Sequence, residues 1–287
     1  VLVDKSVTIA SLVEAKQQGR KTAAVSCYDY TTARLVAAGG AEMILVGDSA
    51  AQIMLGHDST LPATMDFMVA ITAAVRRAAP NVCLAADMPF LSYQVSIPDA
   101  ITNAGRFVKE AGAQLIKIEA TAAQLDVIKA VSDAGMAVMA HIGIRPQSIT
   151  KSGRLRAEGT TADVAYDLIA LAEAMAGAGA CAILLEGTAR EVAKIITQRL
   201  SVPVIGCGSG PDCDVQILIV SDILGLSHGP APKFSKSYAD VASITTQGIT
   251  SYVKEVHTEY FPDDKHCYHM KEGQFESLKQ MLQTLNP

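Results

Sequence analysis

The stretch Ala178-Gly179-Ala180-Cys181-Ala182-Ile183-Leu184-Leu185-Glu186 carries a helix stop, an apolar run and an acid, in that order. An alanine followed by glycine closes a helix in the left-handed region. Residues 182–185 are too few for a helix and apolar enough for a strand buried on both faces. The phrase recurs: Ala38-Gly39-Gly40 precedes Met43-Ile44-Leu45-Val46, Ala111-Gly112 precedes Leu115-Ile116, and Ala134-Gly135 precedes Ala137-Val138-Met139. On or just after these strands stand Asp48, Lys117 with Glu119, His141 and Glu186. Strands alternating with helices are parallel, with right-handed crossovers. In a barrel of such units every strand's carboxyl end meets one rim, where catalysis sits. The repeat therefore predicts an enzyme built on a (β/α)8 barrel.

At 287 residues the chain suits one barrel, read here as a single domain over 1–287 with its core at about 20–260 and a C-terminal extension at about 261–287. Hydrophobic residues make up 49% and charged ones 18%, which leaves little for disordered tails. A net charge of -5 speaks against a nucleic-acid or anionic-membrane surface. No apolar run reaches the roughly 20 residues of a membrane span, and the start shows no basic head followed by an apolar segment, so no secretory signal is expected. Six cysteines, Cys27, Cys83, Cys181, Cys207, Cys213 and Cys267, show no C-x-x-C spacing. Reduced, structural thiols in a cytoplasmic protein are the expectation.

Eight apolar runs read as strands, at 22–27, 42–47, 82–86, 114–118, 136–140, 180–185, 202–206 and 223–226. Ser96-x-x-Asp99, Thr121-x-x-Gln124, Thr160-x-x-Asp163 and Thr188-x-x-Glu191 read as capping boxes at helix starts. A leading helix at 9–18 is placed to cap the barrel floor, 151–159 reads as a basic rim loop, and helices at 238–256 and 276–285 end the chain.

Asp48 and Asp87 follow neighbouring strands, and two carboxylates there make an oxygen-rich site for a hard cation such as Mg²⁺. Taken singly, each could as well cap the next helix. Lys117 and Glu119 lie two apart in one strand, so both side chains share a face. They pair beside the metal or form a buried structural ion pair, a costly filling for a core. Glu186 ends the most apolar strand, where burial suits a carboxylate to proton abstraction near neutral pH; the bland alternative is a rim cap. His141 could donate a hydrogen bond to a substrate oxygen or be a satisfied structural group. Gly206-Cys207-Gly208-Ser209-Gly210 is read as a tight turn in preference to a phosphate loop. His266-Cys267-Tyr268-His269 lacks a complementary pair of ligands, so zinc is not expected.

Val46-Gly47-Asp48-Ser49 and Gly56-His57-Asp58-Ser59-Thr60-Leu61-Pro62 resemble the signature of the ketopantoate hydroxymethyltransferase family. So do Asp87-Met88-Pro89-Phe90, Ile116-Lys117-Ile118-Glu119, His141-Ile142-Gly143 with Pro146-Gln147-Ser148, and Pro203-Val204-Ile205-Gly206. The resemblance implies a barrel of the phosphoenolpyruvate mutase and isocitrate lyase group, Mg²⁺, and 5,10-methylenetetrahydrofolate as one-carbon donor in pantothenate biosynthesis. It implies a metal site at Asp48, Asp87 and Glu119, and 2-oxoacid contacts from Asp48, Ser49, Asp87 and Lys117. Glu186 would be the proton acceptor. Members commonly form decamers, so a homo-oligomer is expected. The rim loop departs from the family's usual Gly-Gly-Tyr-Lys-Val-Gln-Gly: here it is Ser152-Gly153-Arg154-Leu155-Arg156-Ala157-Glu158. Two rivals keep part of this reading. One is a metal-enolate lyase or mutase acting on another 2-oxoacid, and the other a non-catalytic relative.

Overall fold

Side chains along a strand alternate between two faces, and that parity sorts this chain into an inside and an outside. The computed structural model describes residues 6–226 and 232–285. Eight parallel strands close into a barrel in sequence order, with β1 against β8 sealing the ring. They are β1 (Thr22–Ser26), β2 (Met43–Val46), β3 (Cys83–Asp87), β4 (Leu115–Glu119), β5 (Val138–Gly143), β6 (Ala182–Glu186), β7 (Val204–Cys207) and β8 (Val215–Ile219).

One parity fills the barrel: Ala24, Met43, Leu45, Cys83, Ala85, Leu115, Met139, Ala182, Leu184, Ile205, Val215 and Ile217 form one interior cluster. Small residues face large ones across neighbouring strands, Ala24 beside Met43, Leu45 beside Ala85, Ala85 beside Leu115 and Met139 beside Ala182. Such alternation lets the layers interdigitate without voids. The other parity, including Ile44, Leu84, Ile116, Val138, Ile183 and Val204, packs against the surrounding helices.

Helix α1 (Ile9–Gln17) starts at Thr8, whose hydroxyl and the Ser11 side chain satisfy each other's backbone amides. Its Leu12, with Val7, joins the interior cluster and plugs the barrel floor. Helices α2 (Tyr30–Ala38), α3 (Ala50–Ile53), α4 (Met65–Ala78), α5 (Ile97–Ala111), α6 (Leu125–Asp133), α7 (Ile149–Ser152), α8 (Ala162–Gly177) and α9 (Arg190–Arg199) follow β1 to β6. Ser96 and Thr121 cap as expected. Thr160 and Thr188 do not: α8 begins after Thr161 and α9 after Ala189, neither with a side-chain cap. Thr188 is drawn elsewhere, its amide donating to Ser209 Oγ at 3.1 Å.

The eighth strand lies upstream of the expected 223–226. Residues 220–223 form the short helix α10 (Val220–Ile223), and β8 precedes it. Short apolar runs are ambiguous by period alone; pairing decides, because β1 finds partners along its whole length in Val215–Ile219. Lys16 Nζ holds the start of β8 through Asp214 Oδ2 at 2.7 Å. In consequence β7 and β8 are joined by residues 208–214 with no helix between them, and Ala23 and Gln216 on the outer face there are exposed.

The chain divides into two compact units, Val1–Tyr238 and Ala239–Pro287. The barrel belongs to the first, so the core limit expected near 260 falls inside the second. That second unit holds α11 (Val241–His257), capped by Asp240, and α12 (Gln274–Leu285). Among the described residues no helix is long and apolar enough to cross a membrane.

Candidate active site

Parity carries Asp87, Lys117, Glu119, His141 and Glu186 inward at the carboxyl ends of β3 to β6, above the apolar plug. Asp48, Ser49, Asp87, Lys117, His141 and Glu186 line one cavity of ≈ 190 Å³. Glu119 does not line it. Apolar walls come from Leu184, Ile217, Ile219 and Phe234.

The side nearest β2 to β4 is tightly wired. Lys117 Nζ donates to Asp87 Oδ2 at 2.6 Å, and the Asp48 backbone amide donates to the same oxygen at 3.1 Å. Both side chains of the ion pair are buried. Burial alone would lower the Lys117 ammonium, but Asp87, Asp48 and Glu119 outweigh it and hold the lysine charged. Burial likewise pushes the Asp87 carboxyl up, and Lys117 pulls against that. At 2.6 Å the pair is best described as ammonium and carboxylate, each making the other's charge tolerable.

Gln147 ties this cluster together, a role that its place in a Pro-Gln-Ser turn does not announce. Its Nε2 donates to Asp48 Oδ2 and to the Met88 carbonyl, both at 2.9 Å, and its backbone amide donates to Glu119 Oε2 at 3.0 Å. Ser148 Oγ donates to the other Glu119 oxygen at 3.1 Å. Tyr93 donates to Gln147 Oε1 at 2.7 Å. Burial first, then the charges of Glu119, Asp87 and Asp48, push that phenol far up, so it acts as a donor at any physiological pH. Tyr28 and Ser49 share a hydrogen bond of 2.8 Å.

The side nearest β5 to β7 is looser. His141 Nε2 lies 3.3 Å from Glu186 Oε2, yet neither ring nitrogen makes an aligned hydrogen bond. The Glu186 side chain keeps 24% of its exposure, so it is less buried than its apolar strand predicts. Gly143 sits at φ 95°, and a Cβ there would collide with the Glu186 carbonyl oxygen. Glycine therefore lets the ends of β5 and β6 close up beside the acid. Ser209 Oγ donates to the Leu185 carbonyl at 2.8 Å, so the glycine-rich turn after β7 buttresses the end of β6. Cys207, which also lines the cavity, has its thiol pushed up by burial and then by Glu186. All six cysteines are free thiols.

Among the described residues no three His, Cys, Asp or Glu side chains converge as a ready-made metal cage. Both Glu119 oxygens accept hydrogen bonds, from Gln147 and Ser148. Asp48 and Asp87 remain. Asp87 Oδ1 is buried without a partner, a lone pair suited to a hard cation. Mg²⁺ commonly takes one or two carboxylates and fills its octahedron with water and substrate oxygens. The donor set fits that ion, with Glu119 standing behind it.

Comparison with known proteins bears on the family and the fold. The 3-methyl-2-oxobutanoate hydroxymethyltransferase of Pelobacter propionicus (strain DSM 2379 / NBRC 103807 / OttBd1) is 46% identical over 264 residues, covering 92% of this chain and 98% of its own. That of Hyperthermus butylicus (strain DSM 5456 / JCM 9403 / PLM1-5) is 44% identical over 278 residues, covering 97% and 96%. Among solved structures, 2,3-dimethylmalate lyase, a PEP mutase/isocitrate lyase superfamily member, superposes with a TM-score of 0.59 at 18% identity, covering 97% of this chain and 99% of that one. A phosphonopyruvate hydrolase complex with oxalate and Mg²⁺ gives 0.58 at 13%, covering 97% and 98%. These two share the fold. The family model for ketopantoate hydroxymethyltransferase matches residues 6–264, and the chain belongs to that family.

Proposed function

We propose that this chain transfers the one-carbon unit of 5,10-methylenetetrahydrofolate to C3 of 3-methyl-2-oxobutanoate as a hydroxymethyl group, with water supplying the hydroxyl oxygen, giving 2-dehydropantoate and tetrahydrofolate. The observation that carries the reading is the placement of a buried Lys117–Asp87 pair and the half-buried Glu186 on the same cavity. A fixed cation beside the oxoacid's carboxylate and keto group stabilises negative charge as it develops. Glu186, with the exposure a base needs to reach substrate, takes the C3 proton. His141, its ring nitrogens free of aligned partners, donates to a substrate oxygen. Leu184, Ile217, Ile219 and Phe234 hold the isopropyl group and keep water from the carbanion. Asp48 and Asp87 are the residues that would hold Mg²⁺, which when bound supplies Lewis acidity toward the oxoacid's oxygens. Tyr28 keeps Ser49 oriented and Gln147 keeps Asp48 oriented, so the first contacts to the oxoacid are preorganised. A cytoplasmic homo-oligomer completes the proposal.

The test is exchange of the substrate's C3 proton with solvent deuterium. Glu186→Gln slows exchange by roughly 10²–10⁴ and leaves oxoacid binding, read by calorimetry, close to the parent's. Exchange at close to the parent's rate removes Glu186 from the mechanism.

A further inference from the structure

Beside the catalytic cavity lies a second basin of ≈ 200 Å³, walled by the turn after β5 and the rim loop. Arg145, Arg154 and Arg156 line it against one carboxylate, Glu158. This inverts the balance of the whole chain, in which Asp and Glu total 29 and Lys and Arg 24. Leu155 lines both spaces, so they meet at one side chain.

The arginines have donors to spare. Arg145 Nη1 donates to the Gly143 carbonyl at 2.9 Å and its Nη2 lies 3.4 Å from Glu158 Oε1. Its Nε is buried without a partner. Arg154 and Arg156 are exposed, and among the described residues neither has an ion-pair partner. Guanidinium forks match carboxylates bidentately, and a concave surface of one sign concentrates counter-ions.

We propose that the basin seats the glutamate carboxylates of the one-carbon donor, whose pterin end reaches the cavity across Leu155. The inference rests on the folate reading above. In that donor the acidic groups lie at the end remote from the transferred carbon. A carrier that presents its carbon to the oxoacid must therefore leave its acidic tail at the rim, and the arginine basin adjoins the cavity there.

The experiment compares donors carrying one and three glutamates, with the parent, an Arg154→Ala/Arg156→Ala double variant and its Lys/Lys counterpart. Donor KM is measured, together with calorimetric binding of the matching tetrahydrofolates. The parent prefers the triglutamate, and the preference weakens as salt is added. The alanine pair raises donor KM about tenfold, as expected for lost charge-assisted contacts, and abolishes both the preference and the salt dependence. The lysine pair keeps part of each. Deuterium exchange of the oxoacid, which needs no donor, reports separately on the catalytic cavity. An alanine variant that binds both donors as the parent does overturns the proposal. So does arginine-dependent binding of inorganic phosphate with donor KM untouched, which would mark a free-anion site. If the parent exchanges the proton but binds neither folate, the folate reading itself fails and takes the proposal with it.

Discussion

On the β2 to β4 side of the cavity, Lys117, Asp87, Asp48 and Gln147 are joined by hydrogen bonds of 2.6–3.1 Å. On the β5 to β7 side, His141 and Glu186 stand 3.3 Å apart with no aligned bond. The first wall is a network in which each group's charge depends on its neighbour, and removing one member strands the others in low dielectric. The second wall has spare valence and partial exposure, which a group needs if it is to take a proton from a substrate and give it back. On the proposed reading, rigid electrostatics and mobile protons are divided between opposite walls of one small space.

Substitutions on the two walls should separate accordingly. The largest effect on rate is expected for Glu186→Gln, a loss of roughly 10²–10⁴ in exchange and turnover, the span of general acid–base contributions. Its stability, followed by urea denaturation, should stay within about 0.5 kcal/mol of the parent, because one loose contact is lost. Equal losses of stability and rate would break the comparison. Asp87→Asn should lose both. Stripping the counter-charge from buried Lys117 costs about 3–5 kcal/mol, visible as a lower denaturation midpoint, and calorimetric Mg²⁺ affinity should fall with it. A stable, metal-binding Asp87→Asn protein would show that the first wall is not a network.

Gln147→Leu sharpens the contrast at intermediate size. It takes the side-chain donor from Asp48 Oδ2 and the Met88 carbonyl, while Tyr93 keeps the Glu119 carbonyl as acceptor, at a cost of about 1–3 kcal/mol, and should raise KM for the oxoacid more than KM for the donor. Unchanged steady-state constants would reduce Gln147 to a packing residue. The smallest effect belongs to Tyr28→Phe. One hydrogen bond to Ser49 is lost, worth about 1 kcal/mol, read as a several-fold rise in oxoacid KM with kcat nearly constant.

Much of this site is legible in the residue order because strand parity is strict. Once Lys117 and Glu119 are placed in one strand, they must share a face, and β4 confirms that both point inward. The Asp48–Asp87 adjacency follows from β2 pairing with β3. Gln147, Tyr93 and Tyr28 were not legible as site residues. Their partners lie far along the chain, Gln147 reaching Asp48 across 99 positions, and amides or phenols in turns carry no periodicity. The eighth strand was misplaced for a related reason: Val215–Ile219 and 223–226 are both short and apolar, and pairing with β1 separates them. Thr188 has the spacing of a cap but is recruited by Ser209 from another loop, so a tertiary contact overrides a local signal.

Leu12 and Val7 seal the lower end of the barrel, so among the described residues the cavity is closed beneath, and on the proposed reading both reactants come in from the rim. Two reactants that share one entrance must queue: whichever settles against the bottom arrives before the other and departs after it. Steady-state kinetics should therefore be sequential and ordered, with the small acid first in and its enlarged product last out.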